Sequence, residues 1–347
     1  MQDKGFGREV TWDIPLLEGY QYKVLKNVSP VGIRKRPFGL INPSIVFELA
    51  TGRFDLFIVH DWNYFTHVLG LFFAKMLGIK TAQRFENPLH QDIKKPPLKK
   101  FLKKLLFNTL FRGNSFLAIG SQNKAFLEYY GVPDEKIYFC PYSVDNKRFF
   151  EKAKELAPKR PELRKAYGYG ENEVVILFVG KLTSKKRPMD LVKAFEGLHD
   201  SRARLLFVGT GELERELKSY VNEKNISGVT FAGFKNQSEM PECYALSDVF
   251  VLPSESGETW GLVVNEAMCF GLPVIVSDMV GASFDLVRDT SAGAVFTCGD
   301  VRELCESLKM FFDDEPLRKR SGERAREVIE RWSYERTVEE VVRLLEG

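Results

Sequence analysis

The sequence predicts an α/β protein built from two doubly wound parallel-sheet domains. Its 347 residues suffice for two domains of ordinary size, each burying its own core. The apolar runs at 55–59 and 174–179 are continuous rather than alternating, the pattern of strands buried on both faces. Residues 248–252, a polar loop punctuated by Gly257 and Gly261, an apolar-periodic segment (Val263, Val264, Ala267, Met268) and residues 274–276 read in turn as strand, loop, helix and strand. That is one βαβ unit of a parallel sheet.

Composition excludes several classes. A net charge of +3 is too small to argue for a nucleic-acid partner. Cys140, Cys243, Cys269, Cys298 and Cys305 are dispersed with no C-x-x-C pair, which fits a reducing cytoplasm better than a disulfide framework or a zinc site. His60, His67, His90 and His199 show no metal-ligand spacing. No apolar run reaches transmembrane length, and the amino end is polar, unlike a signal peptide.

In the first half, residues 1–19 read as a loop (Gly5-Phe6-Gly7) running into a short helical turn around Trp12-Asp13-Ile14-Pro15. Doubly wound domains open with an apolar strand and a Gly-rich turn. No such strand precedes this loop, so the first strand is expected to be absent from the chain; the rival expectation is a subgroup that starts here. Residues 20–25 read as a strand, 42–50 as a helix, 55–59 as a buried strand and 65–77 as a helix closed by Gly78. The strand at 79–83 delivers Arg84 and Glu86 to its carboxyl end, as the preceding strand delivers His60. A strand-end His satisfied by a neighbour and a catalytic His are both open readings.

Within residues 94–112, Leu98, Phe101, Leu102, Leu105, Leu106 and Leu110 fall at helical spacing, with Lys99, Lys100, Lys103 and Lys104 on the other side. Such a basic amphipathic helix is either an ordinary packed helix with a solvated lysine face or one that lies on an anionic leaflet. A strand at 115–119, a helix capped by Ser121 over 123–130, a strand at 136–140 and a Lys-, Glu- and Pro-rich linker with an entry helix at 146–172 follow.

The second half alternates more regularly. The run at 174–179 leads into Gly180-Lys181, then Lys185-Lys186-Arg187-Pro188 and a helix from 189. Glycine permits close backbone approach to a ligand, and lysines between a strand and a helix start suit a diphosphate. A strand at 204–208 is followed by Gly209-Thr210-Gly211 and a helix. This is no dinucleotide fingerprint, because the third glycine would fall on Glu214. Residues 229–231 form a strand before Gly233-Phe234-Lys235-Asn236, and a helix covers 240–246. After the central unit come a helix reaching Val287, a strand at 294–296, helices at 301–313 and 315–330, and a last amphipathic helix opened by Trp332-Ser333-Tyr334.

The loop of the central unit carries the chemistry. Open parallel sheets bind ligands beyond the carboxyl ends of their strands, and unpaired N–H groups at the helix start, around Thr259, Trp260, Gly261 and Leu262, attract phosphate. Yet Glu258 and Glu266 stand eight residues apart across that start. Carboxylates repel phosphate but accept hydrogen bonds from sugar hydroxyls. A ligand with both phosphates and sugars is a nucleotide-sugar. The bland alternative for Glu258 is a helix-dipole or capping residue.

The segment Glu258 to Glu266, followed by Gly271-Leu272-Pro273-Val274-Ile275, resembles the Glu-x7-Glu motif of retaining glycosyltransferases with the GT-B fold, in particular family 4, the glycosyl transferases of group 1. The resemblance covers essentially the whole chain after the missing strand, most specifically residues 174–290. It implies that Glu258 contacts the transferred sugar and Glu266 the ribose. It implies a donor-phosphate site at Gly180, Lys181 and Lys186. There Lys181 stands where the family has Arg and Arg187 where it has Gly. It further implies a donor pocket lined by Gly209 and Gly211 and a base site at Gly233 and Phe234. Glu86 occupies the slot where many relatives place a donor-contacting His. Pro141 and Tyr142 replace Asn-Gly of the family's Asn-Gly-Val-Asp segment.

The expectations are therefore these. Residues 1–145 form an acceptor-side Rossmann-like domain, 146–330 a nucleotide-sugar domain facing it across a cleft, and 331–347 a terminal helix crossing back. The reaction is a retaining, metal-independent hexosyl transfer from a nucleotide-diphosphate-sugar to a saccharide or lipid-linked acceptor. The setting is cell-surface polysaccharide, glycolipid or glycan assembly, in the cytoplasm or at the inner face of the cell membrane. Glu258, Lys186, Lys181, Glu86 and His60 are the catalytic candidates. The donor is a substrate, and no cofactor is expected. One rival is a truncated protein that binds donor without transferring; a nucleotide-sugar epimerase or dehydrogenase is the other.

Overall fold

The computed structural model describes residues 2–3, 8–9, 12–15 and 17–347. They form two compact units: residues 17–141 with 335–347, and residues 142–334 with the described residues before 17. The chain starts with a two-residue antiparallel pair, β1 (Gln2–Asp3) and β2 (Arg8–Glu9). The loop expected at Gly5–Gly7 lies outside the described residues. Residues 12–15 group with the second unit rather than with the first, and Ser238 donates its backbone N–H and its hydroxyl to Asp13.

In the first unit α1 (Ser44–Thr51) precedes four parallel strands, β3 (Leu56–His60), β4 (Lys80–Arg84), β5 (Ser115–Ala118) and β6 (Ile137–Phe139), paired in that order. Between them run α2 (Phe65–Met76), the short α3 (Leu89–Asp92), α4 (Pro97–Thr109) and α5 (Ser121–Tyr129). The core under β4 and β5 is aromatic: Phe85, Phe107, Phe111, Phe116, Phe126 and Tyr130 are all buried.

Two expectations fail here, each for a local reason, and α4 departs from one of its two open readings. Residues 20–25 are not a strand. Residues 20–24 are all exposed, Tyr20, Tyr22 and Val24 included, and the carbonyl of Leu25 accepts from the Asn42 side chain instead of a ladder partner. Ser121 is not a cap: α5 begins at that residue after Gly120, and the Asn123 side chain accepts from the Ile119 N–H. On α4 the facing is inverted from that of a packed amphipathic helix. Leu98, Phe101, Leu102 and Leu105 are exposed. Phe107 is buried, and Lys103 turns inward to Asp92 at 2.6 Å, over the rings of Phe126 and Tyr130. Asp92, only 2% exposed, also accepts from the Tyr130 hydroxyl at 2.6 Å. A buried carboxylate needs such partners, and this need turns the helix.

The second unit opens with α6 (Asn146–Leu156) and α7 (Arg160–Ala166). Its six-stranded parallel sheet has the order β12-β11-β10-β7-β8-β9, from β7 (Val174–Val179), β8 (Ala203–Val208), β9 (Val229–Phe231), β10 (Val249–Leu252), β11 (Val274–Ser277) and β12 (Gly293–Phe296). Every residue of β7, β10 and β11 is buried, as continuous apolar runs covered on both faces require. The helices α8 (Pro188–Glu196), α9 (Glu214–Glu223), α10 (Met240–Leu246), α11 (Leu262–Cys269), α12 (Val301–Asp313) and α13 (Glu315–Glu330) connect and cover it. Asp300 and Asp314 cap α12 and α13 by accepting from Glu303 N–H and Leu317 N–H. The last helix, α14 (Tyr334–Glu346), belongs from Glu335 onward to the first unit. There Leu344 joins Ala82, Leu117 and Cys140, and Lys80 donates to the Leu345 carbonyl at 2.6 Å.

One buried ion pair ties the amino ends of β7 and β10. Arg164, 5% exposed, pairs with Asp248 and donates to the carbonyls of Leu246 and Glu173, while Asp248 accepts from the Val175 N–H at 2.7 Å. Arg164→Met leaves that carboxylate with Arg160 and the Val175 N–H but frees the carbonyls that Arg164 held, and is expected to lower stability by roughly 1–3 kcal/mol. It should appear as a lower urea midpoint at unchanged slope. An unchanged midpoint would show that these hydrogen bonds are not what matters.

Candidate functional site

The carboxyl ends of β7, β8 and β9 are stitched together by loop backbone. Gly180 N–H donates to the Val208 carbonyl at 2.9 Å, Leu182 N–H to Thr210 at 3.0 Å, and Gly209 N–H to Gly233 at 2.7 Å. Glycine is required for this. A Cβ on Gly209 would sit 1.9 Å from the Gly180 carbonyl oxygen, and one on Gly211 would sit 2.3 Å from that of Leu182. Gly209 and Gly211 thus pack backbone on backbone, and Gly180 and Gly233 complete a rim without side chains of its own.

The loop after β7 is also fastened to the loop after β10. Glu255 N–H donates to the Lys185 carbonyl at 2.9 Å, and Lys185 reaches the Gly257 carbonyl. Arg187 bridges Asp190 at 2.6 Å and Glu255 at 3.4 Å. Arg187 has left-handed backbone, φ 49° and ψ 43°, a conformation that glycine adopts at no steric cost. That explains why Gly suits this position in the resembling motif. At the centre Lys186 and Glu258 form a salt bridge with both side chains largely buried, 18% and 12% exposed. Lys181 follows Gly180 on the same rim, partly exposed.

Beyond this pair the chain turns at Gly261, φ 96° and ψ 65°, into α11. The first N–H groups of a helix have no intrahelical acceptor, so Leu262 marks a donor-rich end. Gly281 lets the neighbouring loop close on it: a Cβ there would lie 2.0 Å from the Thr259 carbonyl. The Trp260 side chain points into the protein. Its indole is 3% exposed, donates to Asn265 at 2.8 Å and packs on Trp332 at 4.9 Å. Its contribution to the loop is the packing that holds the helix start.

Glu266 lies on the first turns of α11, 9% exposed, and accepts from the Tyr244 hydroxyl at 2.6 Å. Burial pushes its carboxyl pKa up to about 7, against the opposing pull of the Tyr244 hydrogen bond and of Arg148. A cavity of about 150 Å³ opens beside it, walled by Gly180, Gly209, Phe234 and Glu266 and also by Gln237 and Met240. The structure thus brings together the predicted residues of the β7, β8, β9 and β10 loops. Sequence reasoning missed Tyr244, Gln237 and Met240. Tyr244 stands 22 positions before its partner, on another helix, and no spacing rule links the two. A larger groove of about 750 Å³ lies at the opposite, amino ends of the strands, but its Arg160 and Arg164 are already paired with Asp248.

In the first unit His60 stands at the exposed end of β3 and Glu86 just beyond β4, likewise exposed. The protein packed around the His60 ring, then Arg84, pushes its pKa down, while Glu86 pulls it up. These three residues form one electrostatic group within their own unit.

Residues 159–328 match the family described as Glycosyl transferases group 1. The chain is 28% identical to the sulfoquinovosyl transferase of Arabidopsis thaliana over 87% of its own length and 58% of that protein's. It is 31% identical to the N-acetyl-alpha-D-glucosaminyl L-malate synthase of Bacillus anthracis over 62% of its length and 52% of that protein's. It therefore spans little more than half the length of these two relatives. Among solved structures, the Anabaena protein HepE in complex with UDP superposes with a TM-score of 0.72 at 17% identity, covering 88% of this chain and 82% of that one. A glycosyltransferase from Rickettsia africae gives 0.69 at 20% identity over 83% and 76%. Residues 159–328 thus carry the match to the glycosyl transferases of group 1, and the two parallel-sheet units have the GT-B fold.

Proposed function

We propose that this protein is a retaining, metal-independent glycosyltransferase that takes a hexosyl unit from a nucleotide-diphosphate-sugar and passes it to a saccharide or lipid-linked acceptor, as in polysaccharide or glycolipid assembly. The observation that carries the reading is the Lys186–Glu258 pair beside the cavity at Glu266. One site holds a cation for a diphosphate, a carboxylate for sugar hydroxyls and a second carboxylate for a ribose. Donor binding exchanges partners: the diphosphate takes Lys186, and the sugar hydroxyls take Glu258. HepE was solved with UDP and with UDP-glucose, and another relative is named a UDP-galactose-dependent transferase acting on a diphosphoundecaprenol-linked sugar.

In the reaction the bond from the anomeric carbon to the diphosphate oxygen breaks as the acceptor hydroxyl bonds to the same face. The acceptor's proton passes to the departing diphosphate. Negative charge grows on that diphosphate, so Lys181, Lys186 and the start of α11 act where charge develops. The first unit, with His60 and Glu86, serves the acceptor side. A donor-binding protein without transfer is the alternative, and hydrolysis of donor with no acceptor product would favour it.

The pH behaviour follows from Glu266. Its folded pKa lies near 7, above the ordinary value of 4.5. The unfolded chain ionises first as pH rises. The contribution of Glu266 to stability is therefore most favourable below 4.5, falls between there and 7, and stays lowered above. The penalty is about 3 kcal/mol at pH 8, from about 1.4 kcal/mol per unit. Glu266→Gln removes it, so its melting temperature should exceed that of the wild type at pH 8 and match it near pH 4.5. The same variant loses a carboxylate acceptor for the ribose and should bind donor about 10-fold more weakly. Stability that is no higher at pH 8 would refute the buried charge.

Calorimetric titration with UDP-, GDP- and ADP-sugars in EDTA tests the donor site directly. One donor should bind saturably, and Lys186→Ala should weaken it roughly 10- to 100-fold, the loss of a charge-assisted contact. No binding by any donor to folded protein would sink the transferase reading.

The exposed Leu98, Phe101, Leu102 and Leu105 of α4, flanked by Lys94, Lys99, Lys100 and Lys104, support a second element of the proposal: docking on an anionic membrane surface. No helix among the described residues is long and apolar enough to cross a membrane. Each lysine near such a surface contributes about 1 kcal/mol, and the apolar face adds burial. The protein should co-sediment with vesicles containing phosphatidylglycerol and not with pure phosphatidylcholine. Phe101→Ser with Leu105→Ser should abolish this without lowering the melting temperature. Undiminished co-sedimentation of that variant would assign the binding elsewhere.

A further inference from the structure

The cavity beside Glu266 has one wall that comes from far outside the β7–β10 loops. Trp12 lines it, although the nearest other lining residue in sequence is Val179. Its volume of about 150 Å³ matches a cavity that encloses one aromatic ring, so it accepts a planar ring and not a whole nucleotide. Phe234 and Met240 line the same space, with Glu266 at the side where a ribose is read.

A tether fixes Trp12 at this place. The next residue, Asp13, accepts from the Ser238 N–H at 3.3 Å and from the Ser238 hydroxyl. Ser238 lies on the stretch between Phe234 and Met240 that supplies Lys235 and Gln237 to the cavity. The tether thus joins the tryptophan's neighbour to the slot's own loop. Trp12 is nevertheless 46% exposed. A tryptophan held by a polar anchor, with half its surface uncovered over a ring-sized cavity, has apolar area available to a flat partner.

We propose that Trp12 forms the outer wall of the nucleobase slot and covers the base of the bound donor, with Asp13 as its positioning residue. The inference rests on the donor reading above and deepens it. The chemistry is sequence-tolerant: every base has an apolar face, and removing an aromatic platform to alanine weakens binding about 5- to 100-fold.

The test is calorimetry and tryptophan fluorescence on the full chain with UDP, GDP and ADP. Whichever nucleotide the wild type binds should bind Trp12→Ala about 10-fold more weakly. Trp12→Phe, which keeps a ring, should stay within about 3-fold, because most stacking area is retained. Asp13→Ala should lie between them. Nucleotide should quench fluorescence in the wild type and not in Trp12→Phe. Melting temperatures without ligand should be equal, since a half-exposed residue contributes little to folding. Affinity lost in Lys186→Ala but kept in Trp12→Ala overturns this inference and leaves the donor site standing. So does quenching that persists in Trp12→Phe. A wild type that binds none of the three nucleotides overturns both.

Discussion

The Lys186–Glu258 salt bridge is the interaction on which the donor-side architecture turns. Two charges this far out of water are costly alone and tolerable only as a pair. Each comes from a different loop, so the pair enforces the meeting of the segments after β7 and β10. The Lys185–Gly257 and Arg187–Glu255 contacts then follow as neighbours on the same seam. The arrangement also explains how the proposed donor site stays folded without its ligand. In the proposed reaction the donor brings an anion and hydroxyl donors, and each replaces one half of the pair.

Glu266 shows the opposite strategy. Among the described residues no cation is in hydrogen-bond contact with it. Its nearest partner is the neutral Tyr244 hydroxyl, and burial holds its proton to about pH 7. The fold thus keeps a carboxyl where an aliphatic side chain of similar size would be more stable. Such a local loss is typical of residues kept for binding rather than for folding. The two carboxylates of the motif differ in environment, one salt-bridged and one desolvated. They do not form the matched acid–base pair that glycoside hydrolysis needs across a single bond.

Much of this was legible in the sequence because the second unit obeys one rule repeatedly. Fully buried parallel strands demand continuous apolar runs, and the strand at 174–179 has the predicted bounds, as do the amphipathic helices at 301–313 and 315–330. The loop glycines were legible for the same reason, since Gly209 and Gly211 sit where any side chain would collide with backbone. The first unit was harder. Residues 20–25 alternate like a strand, yet alternation reports only which side chains share a face. It does not say whether a ladder is available. On α4 the periodicity was legible and its direction stayed open between two readings, because Asp92, outside the helix, draws Lys103 inward. Trp260 illustrates a further limit. A residue inside a binding motif can serve by packing, and here Asn265 and Trp332 take the whole indole.

Side chains that act across long sequence separations escaped the reading altogether. Tyr244 reaches Glu266 from a separate helix, and Asp13 reaches Ser238 from 225 positions away. Local patterns carry propensity, periodicity and capping; a contact between distant segments leaves no such trace. The consequence is specific to this fold. The strand-end loops proposed to hold phosphate and sugar are written in glycines and charges at fixed offsets, so they can be recognised one loop at a time. The walls of the cavity are assembled from wherever the chain happens to pass. The proposed donor chemistry is therefore readable from motifs, while the cavity itself requires the folded arrangement of Phe234, Gln237, Met240 and Trp12.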